Sequence, residues 1–165
     1  MPLRILIVDD EPNIRRTLKL SLESSGHTVQ EAGDASRALE QVDRQSFDMA
    51  FVDIRLGTDS GLELIEPILT RQPRLAVVLI TAHAALESAI EAMRRGAVDY
   101  LPKPFTPAQV RAAIERVERI RGLSDRIALL EDQVRAEVPE VDLDSDDPQV
   151  VGCSTSLNAW RRPTP

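Results

Sequence analysis

Met49-Ala50-Phe51-Val52-Asp53 is an apolar run that ends on a carboxylate, and the pattern recurs: Ile5-Leu6-Ile7-Val8 leads into Asp9-Asp10, and Val77-Val78-Leu79-Ile80 into Thr81. Runs this short and this apolar fit strands covered on both faces, the condition of a parallel sheet. If the three run in the same direction, their terminal polar residues collect at the carboxyl edge, where open α/β sheets build their sites. One more run, Val98-Asp99-Tyr100-Leu101, leads into Pro102-Lys103-Pro104 and adds a cation to the carboxylates and the hydroxyl.

Between these runs lie segments of helical length with apolar residues at three and four spacing: Ile14, Leu18 and Leu22; Ala35, Leu39 and Val42; Leu62, Leu64, Ile65, Ile68 and Leu69. Pro12 suits a first helical turn, and Gly26 suits the end of that helix before a strand at Thr28–Ala32. A fourth helix is expected from Leu86 to Arg95, closed by Gly96. A fifth begins where Thr106 can cap and Pro107 can take the first turn. The alternation predicts an α/β fold, a doubly wound parallel sheet with helices on both faces and right-handed crossovers.

At 165 residues the chain is long enough for one domain and an appendage. A formal charge of −7 argues against a nucleic-acid-binding surface, which needs a clustered basic face. Cys153 is the single cysteine and His27 and His83 the only histidines, so neither an internal disulfide nor a zinc cluster is expected, and a reducing cytoplasm fits best. No apolar stretch reaches the length of a signal peptide core or a membrane span.

Past Val110 the helical pattern continues. Ile120, Leu123, Ile127, Leu130 and Val134 recur at coiled-coil spacing, which suggests a dimerising stalk; Gly122 weakens it, and an amphipathic helix folding back on the domain is the alternative. The acidic stretch Glu140–Pro148 lacks periodicity and reads as a flexible linker. The expected organisation is a domain at 1–120, a helical linker or stalk at 121–138, and a flexible linker with a short remainder at 139–165.

Asp9, Asp10 and Asp53 on adjacent strand ends would repel one another and raise each other's pKa values unless a cation neutralised them. Hard oxygen ligands with room for water and phosphate suit magnesium (Mg2+) better than zinc or calcium. Lys103 could then hold a phosphate oxygen as a point charge and Thr81 hydrogen-bond another, which stabilises a phosphoryl group in transfer. Asp53, on the middle strand, is the expected nucleophile.

The motifs Val8-Asp9-Asp10-Glu11, Phe51-Val52-Asp53-Ile54-Arg55, Ile80-Thr81-Ala82 and Tyr100-Leu101-Pro102-Lys103-Pro104-Phe105, in that order and spacing, resemble the receiver domain of two-component response regulators over residues 4 to 120. The resemblance implies a flavodoxin-like sheet of order 2-1-3-4-5, a phosphoryl group accepted on Asp53 from a histidine kinase, and magnesium held by Asp9, Asp10, Asp53 and the backbone carbonyl of Arg55. It also implies phosphate binding by Lys103, a cis Lys103–Pro104 peptide, and a switch in which Thr81 and Tyr100 relay the charge to the face of the fourth helix and fifth strand; a homodimer through that face and the Ile120–Val134 stalk, altered by phosphorylation, is expected. Many receivers carry proline where this chain has Gly57, so the Arg55–Gly61 loop is expected to be more mobile. His83 reads as an exposed loop residue.

Val151-Gly152-Cys153-Ser154 looks like the start of the AAA+ domain in nitrogen-regulatory protein C type activators of sigma-54 polymerase, and Arg55-Leu56-Gly57 is similar to the alginate-regulator branch. No phosphate-binding Gly-rich loop and no helix-turn-helix follows, so the expectation is a truncated regulator without ATPase or DNA-binding domains. Two other readings compete: a magnesium-dependent phosphatase with an aspartate nucleophile, which would want its first-strand acids one residue apart, and a dimerisation module without a switch.

Overall fold

In β1 (Arg4–Val8), Ile5 and Ile7 face one apolar layer while Leu6 and Val8 face another, and β3 (Met49–Asp53) repeats the division with Met49 and Phe51 against Ala50 and Val52. Successive strand side chains point to opposite faces, so a wholly apolar run requires cover on both. One layer is completed by α1 (Pro12–Ser24) through Leu18 and Leu22 and by α5 (Pro107–Glu137) through Val110, Ala113, Ile114 and Val117. The other is completed by α2 (Ala35–Arg44), α3 (Gly61–Arg71) and α4 (Leu86–Arg94) through Ala38, Val42, Leu64, Ile65, Ile68 and Ala92. The computed structural model describes residues 2–82 and 86–137, with side chains at all of these except 86–88, 124, 125 and 127–137.

With β2 (Thr28–Ala32), β6 (Ala76–Thr81) and β7 (Asp99–Pro102) the main sheet is five-stranded and parallel, in the order β2-β1-β3-β6-β7. Counting these five strands alone, this is the 2-1-3-4-5 order. Two short strands, β4 (Arg55–Leu56) and β5 (Asp59–Ser60), pair antiparallel outside it. The sequence reading expected a loop there; the chain forms a hairpin instead.

Helix ends follow local chemistry. Pro12 opens α1, where a missing N–H costs nothing, and Gly26 leaves it at φ +86. Asp34 caps α2 by accepting from the Arg37 amide at 2.8 Å, and the Thr106 hydroxyl accepts from the Gln109 amide at 3.3 Å ahead of α5. The chain divides into two units, residues 1–124 and 125–165. The first contains the sheet; the second is helical as far as Glu137.

Register places the site. Val8 pairs with Val52 and Asp53 with Ile80, so Asp9, Asp53 and Thr81 finish three neighbouring strands, and Thr81 pairs with Pro102 immediately before Lys103. A one-residue slip of β3 would turn Asp53 and Phe51 to the opposite faces, against the burial of Phe51, whose side chain alone contributes roughly 1.5–3 kcal/mol. The packing of the core thus holds the polar residues at one edge.

Candidate functional site

At that edge the carboxylates of Asp9, Asp10 and Asp53 each offer an oxygen, all within 4.8 Å of one another. Asp9 and Asp53 are buried and Asp10 is exposed. Lys103 reaches across from the end of β7: its Nζ donates to Asp53 Oδ2 at 2.6 Å, to Asp9 Oδ2 at 2.9 Å and to Glu11 Oε1 at 3.3 Å. The Lys103 amide donates to the Thr81 carbonyl at 2.7 Å, which ties the lysine to the end of β6, and the Lys103–Pro104 peptide is cis. Asp10, Glu11, Asp53, Ile54, Arg55, Thr81, Ala82 and Lys103 line one open cleft.

The electrostatics follow from burial and crowding. Burial pushes the Asp9 carboxyl up from its ordinary value; hydrogen bonds from Lys103 and the Glu11 amide offset this in part, and the charge on Asp53 adds to the rise. For Lys103, burial works against the ammonium, but its hydrogen bonds to Asp53 and Asp9 and their charges outweigh it and hold the group above its usual range. A buried acidic pair bridged by one ammonium, with a third carboxylate open to solvent, offers hard oxygen donors whose excess negative charge a divalent cation would relieve. The donor set fits magnesium.

Of the residues expected at the site, Asp10, Asp53, Arg55, Thr81 and Lys103 line the cleft, and Asp9, fully buried, joins them through its contact with Lys103. Tyr100, expected as a switch residue toward the face of the fourth helix and fifth strand, sits on the surface of β7, 42 % exposed, beside Ala89, Ile90, Met93 and Arg94 of α4. His83 lies outside the described residues, as do Val151–Ser154. Ile120 and Leu123 of the expected seam are exposed, and Ile127, Leu130 and Val134 fall outside the described side chains.

Three neighbours were not singled out by sequence reasoning. Glu11 adds a carboxylate to the lysine. Arg15, on the first turn of α1, donates from Nη1 to the Asp9 carbonyl at 2.6 Å and approaches Glu31 at 3.7 Å, fixing the backbone of the acidic pair. Gly61 packs against Asp53 so closely that a Cβ there would lie 1.8 Å from the Asp53 carbonyl oxygen. A glycine at the first position of a helix reads locally as a helix start, and only the tertiary contact explains it.

Comparison with known proteins bears on the same residues. The family model described as response regulator receiver domain matches residues 5–115. The alginate biosynthesis transcriptional regulatory protein AlgB of Pseudomonas aeruginosa is 44 % identical over 134 residues, covering 81 % of this chain and 30 % of AlgB. The DNA-binding transcriptional regulator NtrC of Escherichia coli is 37 % identical over 112 residues, 68 % of this chain and 24 % of NtrC. This chain therefore spans less than a third of the length of either relative. Among solved structures, NtrX from Brucella abortus superposes with a TM-score of 0.75 at 35 % identity, over 79 % of this chain and 30 % of NtrX. A CheY-like receiver domain protein from Methanospirillum hungatei gives 0.68 at 32 % identity, over 72 % of this chain and 96 % of its own. Sheet order, the strand-end acids and a family match spanning the sheet all agree: the chain belongs to the response regulator receiver domain family.

Proposed function

We propose that this chain is the phosphorylatable switch of a sigma-54-dependent transcription activator, with Asp53 as the phosphoacceptor for a sensor histidine kinase. The observation that carries the reading is the Lys103 ammonium bridging Asp53 and Asp9 in the cleft that Thr81 also lines. An Asp53 carboxylate oxygen forms a bond to phosphorus as the phosphorus–nitrogen bond of a phosphohistidine breaks; hydrolysis later cleaves the new bond with water as acceptor. Lys103 and the Thr81 hydroxyl hold the phosphoryl oxygens by charge and hydrogen bond, so the chain's contribution is positioning and electrostatics. Asp9, Asp10, Asp53 and the Arg55 carbonyl would hold magnesium, which supplies positive charge to the phosphoryl oxygens. The domain promotes its own phosphorylation and dephosphorylation without being an enzyme of turnover.

The α4–β7 face supports an output role. Ile90, Met93 and Tyr100 are 45, 43 and 42 % exposed, an apolar patch that a second copy would cover. Phosphorylation draws Thr81 toward the new charge, lets Tyr100 turn inward and reshapes that face, and the homodimer forms through it and through the Ile120–Val134 helix. We assign 1–120 to the receiver, 121–138 to the stalk and 139–165 to a linker and the beginning of an AAA+ domain, in a cytoplasmic protein. Among the described residues no helix is long and apolar enough to cross a membrane.

The test is labelling by acetyl phosphate with magnesium. Wild type takes up label, Asp53→Asn does not, and label in the Asn variant removes Asp53 as nucleophile. Light scattering with and without beryllofluoride tests the dimer: a shift in mass supports it, and equal masses at low and high concentration end it.

A further inference from the structure

We infer that the β4–β5 hairpin aims the Arg55 carbonyl into the acidic cleft, with Gly57 and Gly61 as the positioning residues that make the hairpin possible. The inference rests on the proposed role of that carbonyl as a metal ligand and adds what places it. Antiparallel ladders alternate hydrogen-bonded and non-hydrogen-bonded pairs. The Gly61 amide donates to the Ile54 carbonyl at 2.8 Å, so the next pair inward, Arg55 opposite Ser60, is a non-hydrogen-bonded one, and Leu56 opposite Asp59 closes the turn. Arg55 therefore spends neither its N–H nor its C=O on the hairpin, and in an extended residue both point to the same edge. The N–H donates to Asp53 Oδ1 at 3.3 Å, which identifies that edge as the one facing the acidic cluster. A ladder shifted by one residue would bind the carbonyl within the hairpin.

Three contacts hold this register. At the tip, Gly57 has φ +63, and no described residue other than glycine has positive φ, so Thr58 is negative. That is the signature of a two-residue type II′ turn with glycine first, whose twist matches that of paired strands. Underneath, Leu56 is buried in the core layer of α2 and α3. At the foot, Gly61 packs against the Asp53 carbonyl, where no side chain fits. Proline at position 57, common in receivers, is locked near φ −65° and is incompatible with this turn. Gly57 therefore specifies a turn.

The experiment is calorimetric titration of the full chain with magnesium chloride, comparing wild type with Gly57→Pro, Gly57→Ala and Thr58→Ala, alongside melting temperatures in chelator to report the sheet. Displacing a ligand-orienting contact weakens metal binding by about tenfold or more. Gly57→Pro should lose roughly that factor, Gly57→Ala a smaller one because alanine reaches positive φ at a cost where proline cannot, and Thr58→Ala none, with chelator melting temperatures close to wild type. Wild-type affinity in folded Gly57→Pro and Gly57→Ala overturns the inference; if the proline variant does not fold, the alanine variant decides. Labelling separates the two levels: uptake by Asp53→Asn ends the proposed function, whereas unchanged affinity in the Gly57 variants with Asp53 still the sole acceptor ends only the role of the hairpin.

Discussion

At the carboxyl edge of the sheet, Asp9 and Asp53 are buried and share one ammonium, while on the α4–β7 face Ile90, Met93 and Tyr100 are exposed over somewhat less than half of their surface. The first region is already assembled: strand register, the Lys103 bridge and Arg15 hold its groups before any ligand arrives. The second has apolar area still to bury. Under the proposed function, charge arriving in the first region reaches the second through Tyr100, which lies beside Met93 and Ile90.

The largest expected effect comes from removing the bridge. Lys103→Ala leaves two buried carboxylates without their shared cation, and breaking a buried ion pair from one side costs about 3–5 kcal/mol. In chelator, urea denaturation should show a loss near the lower end of that range, because the cleft opens to solvent. Magnesium should restore more stability to the variant than it adds to wild type. Because Lys103 is held above its ordinary range, its contribution is present below its unfolded value of 10.5 and is lost only as pH rises through its higher folded value. The deficit should therefore be flat across neutral pH, and a variant as stable as wild type would show that the edge is not assembled in advance.

Gly61→Ala comes next. Its Cβ would meet the Asp53 carbonyl at 1.8 Å, a backbone atom that cannot swing aside, so β3 or α3 must shift; overpacking of this kind costs about 1–3 kcal/mol. Thermal melts would measure the loss, and labelling should fall by more than the lost stability alone explains, since the displaced residue is Asp53. A neutral substitution would mean that the foot of the hairpin yields.

These variants also divide what was legible in the sequence from what was not. Asp9, Asp53 and Thr81 could be read because each ends an apolar run, and a run covered on both faces marks a buried strand; Lys103 could be read from its place in the matched motif after the mixed run Val98–Leu101. Pro12, Gly26, Thr106 and Pro107 could be read because capping is local. Gly61, Arg15 and the β4–β5 hairpin could not. The need for glycine at 61 arises from a strand eight residues earlier, the role of Arg15 from a carbonyl across a turn, and the hairpin strands are two residues long, too short for alternation to appear. Tyr100 was legible as a strand residue, but its exposure depends on what α4 leaves uncovered.

Asp9→Asn tests the electrostatics of the assembled edge with a smaller effect. Burial raises the Asp9 pKa in the folded protein, so its ionised form costs stability. The cost is absent below the unfolded value of 3.8, builds as pH rises through the window above it, and levels off once pH passes the folded value. In chelator the Asn variant should therefore gain on wild type as pH rises from about 4 and hold that gain at neutrality, by an amount within the roughly 0.5–3 kcal/mol of ordinary point substitutions. Denaturant midpoints at several pH values would show it. A difference independent of pH would mean that Lys103 already offsets the burial in full.

The smallest effect on stability belongs to the open face, and it separates the two regions most sharply. Ile90→Glu replaces a side chain that is 45 % exposed, so melting temperature should move by no more than about 0.5 kcal/mol allows, and acetyl phosphate should label Asp53 as in wild type. What should vanish is the change in mass on adding beryllofluoride, because a charge at the centre of the patch must be desolvated when a second copy covers it. Labelling intact with association lost would assign chemistry to the edge and output to the face. Association that survives in Ile90→Glu and in Met93→Glu would move the dimer away from α4 and β7, leaving the helix from Ile120 onward to carry it.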